Sequence, residues 1–600
     1  MSERIRTFTG PAVIALAFAA LTMWTWGKWP DAQVDFGREL YVPWQLSKGL
    51  TLYGDLAYFN GPLSPTVNAA WFRLTGPSLR ALVLLNLVVV AAIVVMLYGL
   101  LRSLAGRFVA SAGSLSFLVF FAFAQFMPGG SYNYLAPYSH EATHGIALSL
   151  AALRCLGAHL RSGRRRWALA AGVAAGLAFL TKAEFPIALV PAVGVGLLLH
   201  HLLARTPGRR VVPIAALAAA GFLLPPALAF AWLSSRLPAG EALRGVAGAW
   251  NYLFDERLHA LRFYQDVRGT LDVGESLARI GAWLARYAAV FVPAAVAAAL
   301  VGRDARARRV VAAVAAAGAA TAVLVGRAGR DWENLARPFP LILAAAIVVI
   351  AGAVLTSGSA RRSSWREVLG LSCLVFALLL LLKAILHVSL LHYGFVLAMP
   401  AGIAIVALSV GFVPVWFDGR GRSGLVFRAA ALGAIVGFAI VQVGAARMWL
   451  GGRTVEIGQG ADRFLIHQRD RGFADVLVRL QQLRAPAETL VVVPEGVMLN
   501  YLLRATNPAG VVNFLPPEMI MWGERRILGA CRAHPPDWVV IMNRGVSEYG
   551  NRFFGDDYAR DLYSWIETNY EVVDRVFELD AWGQTQPTAA ILRRRTPGGQ

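Results

Sequence analysis

Long, continuous runs of hydrophobic residues dominate the chain between positions 80 and 450. Runs of about 17–23 apolar residues alternate there with short arginine-rich links. A helix needs about 20 apolar residues to cross the hydrocarbon core of a bilayer. The strands of a membrane barrel are short and alternate apolar with polar residues, unlike the unbroken run from Ala81 to Leu101. The pattern therefore predicts a mainly α-helical, polytopic membrane protein.

We predict about thirteen transmembrane helices with boundaries good to a few residues. They lie at 10–27, 81–101, 108–127, 144–160, 167–181, 184–204, 211–233, 286–302, 310–326, 337–356, 368–386, 395–416 and 425–447. The first apolar run resembles a signal peptide, but tryptophans follow it rather than a small-residue cleavage site. We therefore interpret it as a retained first span.

The position of the charges predicts an orientation in the membrane. The chain carries a formal net charge of +21, yet only 16% of its residues are charged. Arginines concentrate near the N-terminus and in every second link, which is typical of cytoplasmic segments. With an odd number of spans, the C-terminus then lies outside, in the periplasm of a bacterial inner membrane. Basic residues placed in this way also argue against a nucleic-acid partner.

The composition changes after residue 450. We predict a transmembrane domain with periplasmic loops at 1–450 and a small soluble, periplasmic α/β domain at 451–600, tethered to the last span. Helical periodicity covers 473–480, and TLVVVP, DWVVIM and TAAILR have the character of buried strands. No catalytic motif is visible there, and acids such as Glu495 and Glu518 are most simply surface residues. We expect this domain to cap the outer cavity and to help select an acceptor.

Two acids follow the first span in the sequence DFGREL. Asp35 and Glu39 are four residues apart, so both carboxylates would share one face if this stretch is helical. Paired acids at a membrane surface suit a general base, and they also suit a divalent cation. The alternative is a solvated helix face in which Arg38 is the salt-bridge partner.

A second acid, Glu141, lies in SHEATHG where the chain re-enters the membrane. Acids at such a boundary are costly and often functional. The alternative is a first-turn acid behind an N-cap at Ser139, which the helix dipole would favour. The flanking His140 and His144 do not have the order of a His-Glu-x-x-His zinc motif, so zinc is disfavoured.

Lys182 and Glu184 interrupt an apolar stretch in TKAEFP. Such a break within a bilayer is tolerated only where protein or water covers it. A lysine at this position could hold an anionic headgroup. The alternatives are an internal Lys182–Glu184 pair or a simple turn between two spans.

Arginines on a predicted outer link run against the charge rule and need another reason. Arg330 and Arg337 could bind phosphate through their forked guanidinium groups, or could anchor lipid headgroups. His392 and Tyr393 lie on the next outer link and would line the same cavity. Lys383, near that end of its span, could face the cavity or extend towards the membrane surface.

The order of these motifs resembles one family. After the acid in DFGREL comes Y-x-x-W-x-x-x-x-G-x-x-x-Y-x-D from Tyr41 to Asp55, then GPLSP at 61–65, Glu141, and GLAFLTKAEFP at 176–186. This order is similar to that of membrane glycosyltransferases of the GT-C fold, in the family 39-like branch of protein mannosyltransferases and aminoarabinose transferases. The resemblance covers about residues 1–210, and the later spans by architecture only.

The resemblance implies inverting transfer of a hexosyl or pentosyl group from a polyprenyl-phosphate sugar on the periplasmic side. Asp35 matches the expected catalytic base, Glu141 stands where the family usually has aspartate, and Lys182 matches the family lysine. Glu39 has no clear counterpart but remains a catalytic candidate, and Tyr58 joins the residues predicted to bind substrate. The acceptor would be a lipid, glycan or protein, and the need for Mg²⁺ or Mn²⁺ stays open.

Two other functions remain as alternatives. A transporter or flippase of lipid-linked sugars would also show charges within the membrane, but we expect such proteins to contain repeated halves. No such repeat is visible, and the long acidic first outer loop favours catalysis. The second alternative is a non-catalytic membrane subunit that binds glycan.

Overall fold

The computed structural model describes residues 3–125, 127, 129–203, 208–301, 306–328, 331–356, 365–579 and 585–596. It is mainly helical, with a small sheet region near the C-terminus. The predicted fold class, a helical membrane protein with a C-terminal α/β part, is confirmed.

Twenty α-helices precede the first strand in the described residues. They are α1 Glu3–Thr25, α2 Phe36–Ser47, α3 Leu63–Thr75, α4 Leu79–Ala105, α5 Arg107–Phe117, α6 His140–Ser162, α7 Arg165–Phe179, α8 Glu184–Leu203, α9 Gly208–Ser234, α10 Ala239–Ala247, α11 Glu256–His259, α12 Arg262–Arg268, α13 Val273–Leu300, α14 Arg306–Ala328, α15 Phe339–Thr356, α16 Trp365–Leu380, α17 Gly394–Leu397, α18 Met399–Ala407, α19 Val413–Asp418 and α20 Gly424–Gly451. Short π-helices extend α5 at Leu118–Ala122 and α18 at Leu408–Phe412.

Every predicted apolar run coincides with one of these helical segments. Among the described residues, nine helices are long and apolar enough to cross a membrane. Shorter apolar helices occupy Thr9–Thr25 and Arg107–Ala122. The other two predicted spans correspond to α6 and α7. The membrane character is confirmed, and the count of about thirteen stays a prediction.

Small residues allow α7 and α9 to pack closely. Gly172 and Gly176 are four residues apart on α7, and a Cβ on either would overlap a carbonyl oxygen of α9, at Ala218 or Phe222. Gly221 of α9 makes the reciprocal approach to α7. Small residues at this spacing are a common basis of close helix contact in membranes. This contact fixes the end of α7 that leads into the turn carrying Lys182.

The C-terminal region is built on two small sheets. Strands β1 Arg453–Ile457 and β2 Phe464–His467 form an antiparallel pair. A four-stranded sheet has the order β3-β4-β6-β5, from β3 Leu490–Val493, β4 Trp538–Met542, β5 Tyr570–Leu579 and β6 Thr585–Arg594. Its helices are α21 Arg471–Leu483, α22 Met498–Leu502, α23 Pro516–Trp522, α24 Glu524–Ala533 and α25 Arg560–Asn569. Strands β3 and β4 are parallel, so their carboxyl ends meet at one edge.

The C-terminal region is joined covalently to the end of α20 and also contacts the loop that follows the first span. The backbone N–H of Asn507 donates to the Tyr41 hydroxyl at 2.8 Å, in the middle of α2. The N–H of Ala57 donates to the carbonyl of Gly510, also at 2.8 Å. The C-terminal region is therefore docked on the loop that follows the first span.

The links predicted to lie outside also meet one another. The N–H of Asp31 on the first link donates to the Ser131 hydroxyl on the second, at 2.7 Å. The ring of Phe263 on the third link lies 5.4 Å from that of Tyr549 in the C-terminal region. These contacts gather the predicted outer links and the C-terminal region on one face of the helical bundle.

Candidate active site at the outer face

Asp35 occupies a strained turn immediately before α2. Its backbone has φ 61° and ψ −54°, and the N–H of Phe36 donates to the carbonyl of Val34 at 2.7 Å. This is a classic γ-turn, a rare and strained conformation that surrounding contacts must hold. Because α2 begins at Phe36, Asp35 lies outside the helix, and the condition under which Asp35 and Glu39 would share a helical face is not met.

The Asp35 carboxyl is half-buried, and within the described residues it has no hydrogen-bond partner. The backbone N–H of Asp35 donates to Oε1 of Glu495 at 3.0 Å. Burial and the nearby negative charge of Glu495 raise the pKa of Asp35 to about 7, against the opposing charge of Arg38. A partly shielded carboxyl that titrates near neutrality and has free oxygens suits a general base.

Glu39 points away from open space and joins two loops. Its Oε1 accepts from Arg38 at 3.1 Å, and its Oε2 accepts from the backbone N–H and Nδ1 of His140 at 2.9 and 2.6 Å. Although burial opposes it, these partners hold the pKa of Glu39 below its usual value. Asn86 Nδ2 contacts the other ring nitrogen of His140 at 3.0 Å. Arg38 is thus the predicted partner of Glu39, but the predicted solvated face is wrong because the pair is buried.

Glu141 and Tyr58 form a second buried pair. The Tyr58 hydroxyl donates to Oε1 of Glu141, and the Ser139 hydroxyl donates to Oε2 at 2.6 Å. Glu141 is 0% exposed and lies in the first turn of α6. Ser139 stands at the N-cap position without making a capping bond. Both predicted site residues therefore tie the second outer link to the first.

A cationic cavity lies at the outer face, and its wall residue Tyr138 interacts electrostatically with Asp35. Lys182, in the turn between α7 and α8, donates to the Tyr138 hydroxyl at 3.1 Å and lies 5.9 Å from the centre of the Tyr393 ring. Glu184 accepts from Lys383 at 2.5 Å, so the alternative Lys182–Glu184 pair is not formed. These side chains line a small cavity with room for about one water molecule. Two lysines and one carboxylate leave it with an excess of one positive charge.

Of the two predicted phosphate-binding arginines, Arg337 is committed to the protein. It is 3% exposed and donates to Oδ1 of Asn334 at 2.9 Å and to the carbonyl of Leu386 at 3.1 Å. Arg330 lies outside the described residues. Arg337 is therefore occupied by protein partners, whereas Lys182 forms no ion pair within the described residues.

His392 borders the same region through a ring contact. Its Nδ1 lies 3.0 Å from the Tyr132 hydroxyl, and its backbone has a φ of 47°. Burial lowers the pKa of His392, which disfavours its charged form. Tyr132 in turn lies 5.7 Å from Tyr138, ring centre to ring centre, which links His392 to the wall of the cationic cavity.

An apolar groove of about 100 Å³ lies further along the helices. Phe120, Phe291, Phe339, Ile403, Ala434 and Phe438 are among its lining residues. Arg286 borders it and pairs with Asp331 at 2.7 Å. The stretch 390–406 contributes residues to both this groove and the cationic cavity.

Sequence reasoning missed the acids and the arginine that the C-terminal region contributes. Glu495 and Glu518 are 1% and 8% exposed, so the expectation of surface residues is wrong for both. Glu495 follows β3 and Arg544 follows β4, and Arg544 Nε donates to Oε2 of Glu495 at 2.8 Å. Polar residues after neighbouring buried strands were the available signal, since carboxyl ends of parallel strands often form ligand sites.

The described residues contain no group of three or more His, Cys, Asp or Glu side chains placed to hold a metal ion. Glu39 and Glu141 are occupied by protein partners, as described above. The described residues therefore show no pre-formed metal site, and the need for Mg²⁺ or Mn²⁺ stays a prediction.

Comparison with solved structures gives distant likenesses. ArnT from Cupriavidus metallidurans bound to undecaprenyl phosphate is 15% identical over 100% of both chains, with a TM-score of 0.45. The Archaeoglobus fulgidus oligosaccharyltransferase in complex with zinc and sulfate is 13% identical over 96% of this chain and 73% of that one, with a TM-score of 0.47. AglB of the same organism, with an inhibitory peptide and a dolichol-phosphate, is 12% identical over 97% and 74%, with a TM-score of 0.47.

Comparison of sequences adds one family. No curated protein matches the chain. Residues 60–230 match the family model of dolichyl-phosphate-mannose-protein mannosyltransferases. This segment contains Glu141, Lys182 and Glu184 and ends in α9. The match confirms, for this part of the chain, the predicted resemblance to membrane glycosyltransferases of the mannosyltransferase branch.

Proposed function

We propose that this protein is a membrane glycosyltransferase that transfers a sugar from a polyprenyl-phosphate donor to an acceptor hydroxyl. The family match at 60–230 supports the class of reaction. The observation that carries the proposal is the free, half-buried carboxyl of Asp35, whose pKa is about 7. It interacts electrostatically with Tyr138, which lines a cavity with excess positive charge. Such a base and such a cavity are the two elements that the reaction requires.

Asp35 accepts the proton of the acceptor hydroxyl as the acceptor oxygen attacks the anomeric carbon. The bond between that carbon and the phosphate oxygen breaks on the opposite face of the sugar, so the configuration inverts. Polyprenyl phosphate leaves as an anion, and the proton remains on Asp35. A base is most effective when its pKa lies near the working pH, as it does for this carboxyl.

Lys182 stabilises the leaving phosphate. It is 8% exposed, and it forms no ion pair within the described part of the chain. Its charge is therefore available to an anion, whereas the charge of Lys383 is largely balanced by Glu184. Positive charge that is already in place where negative charge develops is an effective form of catalysis.

The apolar groove holds part of the polyprenyl chain, and the donor reaches it from the bilayer. Different residues of the stretch 390–406 line the groove and the cationic cavity, which supports a donor with its tail in the groove and its phosphate near Lys182. From the charge rule we infer that this face lies in the periplasm of a bacterial inner membrane and that the N-terminus lies in the cytoplasm. A lipid, glycan or protein acceptor enters between the outer links and the C-terminal domain at 451–600.

The test is transfer by the purified protein in nanodiscs. A panel of polyprenyl-phosphate hexoses and pentoses is incubated with candidate acceptors, with and without EDTA, and the products are identified by mass spectrometry. Wild type should form an inverted product with at least one donor, and Asp35→Asn should lose transfer but still bind that donor. The matched control is Glu241→Gln, an exposed acid on an outer link, which should transfer like wild type.

Two outcomes would contradict the proposal. Full transfer by Asp35→Asn would remove Asp35 as the base. Movement of the labelled donor across proteoliposome membranes, without transfer to any acceptor, would favour a flippase instead.

A further inference from the structure

The strained backbone conformation of the Asp35 turn needs contacts from neighbouring residues to fix it. The classic γ-turn is strained for any residue with a side chain, so it persists only where neighbouring contacts fix it. On one side, Asp31 Oδ1 accepts from the N–H of Val34 at 2.8 Å. On the other side, the N–H of Asp35 itself is bound by Glu495, which comes from a region 460 residues away in sequence.

Glu495 is shared between two partners. Its Oε1 accepts from the N–H of Asp35 at 3.0 Å, and its Oε2 accepts from Nε of Arg544 at 2.8 Å. Arg544 is itself oriented by Glu548, which accepts from Nη2 at 3.0 Å, and by its bond to the carbonyl of Gly545 at 2.9 Å. The arginine fixes Glu495, and Glu495 fixes the turn.

Close backbone contact keeps this arrangement in register. Gly37 lies against Met498, the first residue of α22, and a Cβ on Gly37 would come within 2.9 Å of the Met498 Cα. Only glycine permits such an approach of two backbones. Met498 is three residues after Glu495, so the contact between Gly37 and Met498 brings the Glu495 carboxylate within reach of the Asp35 backbone N–H.

We propose that the Glu495–Arg544 pair of the C-terminal domain positions the Asp35 turn and sets the charge around the Asp35 carboxyl. The inference rests on the proposed function, in which Asp35 is the base. Glu495 and Arg544 are positioning residues, since they act through Asp35 and not on the substrate. The C-terminal domain thereby completes the catalytic loop in addition to covering it.

Several charged and titratable groups act on Asp35 or feel its charge. They are Arg38 and Glu39 of α2, Tyr132 and Tyr138 of the second outer link, Tyr264 of the third, and Glu495, Glu518, Arg544 and Tyr549 of the C-terminal region. Within this set, Glu495 is the nearby acid that most raises the pKa of Asp35, and Arg544 lowers that pKa. Removing the charge of Glu495 should therefore lower the pKa of Asp35, and removing the charge of Arg544 should raise it.

The experiment measures Asp35 protonation directly. A carbodiimide activates protonated carboxyls, and glycine methyl ester traps them as amides that mass spectrometry detects. Trypsin releases Asp35 in the peptide at 29–38, where Asp31 is an internal control resolved by fragment ions. The pH at which half of Asp35 reacts is compared between wild type and variants in nanodiscs.

Glu495→Gln should lower the half-reaction pH of Asp35 by about one unit, and Arg544→Gln should raise it. Arg544→Lys, which keeps the charge, should stay near wild type. Glu488→Gln is the matched control, because Glu488 lies at the other end of β3 and binds Trp538. In each variant, the acid limb of the pH profile of kcat/KM for transfer should shift in the same direction as the half-reaction pH of Asp35.

Failure of this inference can be distinguished from failure of the proposed function. If Glu495→Gln and Arg544→Gln move the half-reaction pH in the same direction, or not at all, while both retain the thermal stability of wild type, the inference is overturned. If either variant is unstable, Arg544→Lys serves as the test, because it keeps the positive charge. A half-reaction pH for Arg544→Lys that differs clearly from that of wild type would also overturn the inference. Opposite shifts in a protein that transfers no sugar would support the positioning role and refute the proposed function.

Discussion

Replacing Lys182 by methionine should lower kcat/KM for the polyprenyl-phosphate donor by about 10- to 150-fold. Lys182 is the cation of the outer cavity that no carboxylate balances within the described residues. Methionine has a similar length and can keep the packing against Tyr138 and Tyr393. The substitution thus removes the charge and leaves most of the apolar contact.

The magnitude follows from the contact that is lost. A hydrogen bond to a charged group contributes about 1.5–3 kcal/mol, and each 1.36 kcal/mol corresponds to about tenfold in rate. Lys182 is 8% exposed, so solvent screens its charge little. Because the leaving phosphate gains negative charge as the bond breaks, kcat should fall as well as kcat/KM.

The matched control is the double substitution Lys383→Met with Glu184→Gln. It removes a salt bridge of 2.5 Å without changing the net charge of the cavity. The Lys383 side chain is 31% exposed, and its loss as a pair should cost less than about tenfold. Lys383→Met alone is a poor control because it would leave the Glu184 carboxylate unpaired next to the phosphate.

The assay is steady-state transfer in nanodiscs with varied donor, with Lys182→Arg included because it retains the charge. The reasoning would be refuted if Lys182→Met stayed within about threefold of wild type. It would also fail if the charge-neutral double variant lost as much activity as Lys182→Met.

Two further outcomes are expected. The value of kcat/KM should rise with pH and level off above about 7, because the base acts in its deprotonated form and the pKa of Asp35 is raised to about 7 by burial and Glu495; a flat profile between pH 5 and 8 would contradict this. Ala434→Phe, which fills the apolar groove, should raise the KM for the donor by about tenfold. Val436→Phe, on the exposed side of the same helix, should change that KM little. Equal KM values for the two variants would show that the donor does not use the groove.

The helices could be predicted because their signal is local. A run of about 20 apolar residues has no other stable arrangement in a bilayer, so each predicted span coincides with a helix. The strands at 490–493 and 538–542 were predictable for a related reason, since short runs of valine and isoleucine are typical of buried strands. The turn at Lys182 was also marked locally, by charges and a proline that interrupt an apolar stretch.

The site was less predictable because its contacts are not local. Spacing alone suggested that Asp35 and Glu39 share a helical face. The γ-turn instead leaves the Asp35 carboxyl without a hydrogen-bond partner in the described residues, whereas the Glu39 carboxyl binds Arg38 and His140. Nothing near Glu495 in sequence reveals that it meets Asp35. That contact depends on the docking of Met498 against Gly37, which is a tertiary arrangement.

The role of the C-terminal domain cannot be isolated by deleting it. Removing residues 455–600 is the direct way to ask whether the C-terminal region selects the acceptor. The same deletion removes the partner of the Asp35 N–H and also Arg544, so the base would lose its turn and its neighbouring charges together. Lost transfer after deletion would therefore follow even if the domain played no part in acceptor choice. Point substitutions at Glu495 separate the two roles, because a residue that acts only through Asp35 should change the rate and its pH dependence while leaving the preference among acceptors as it was.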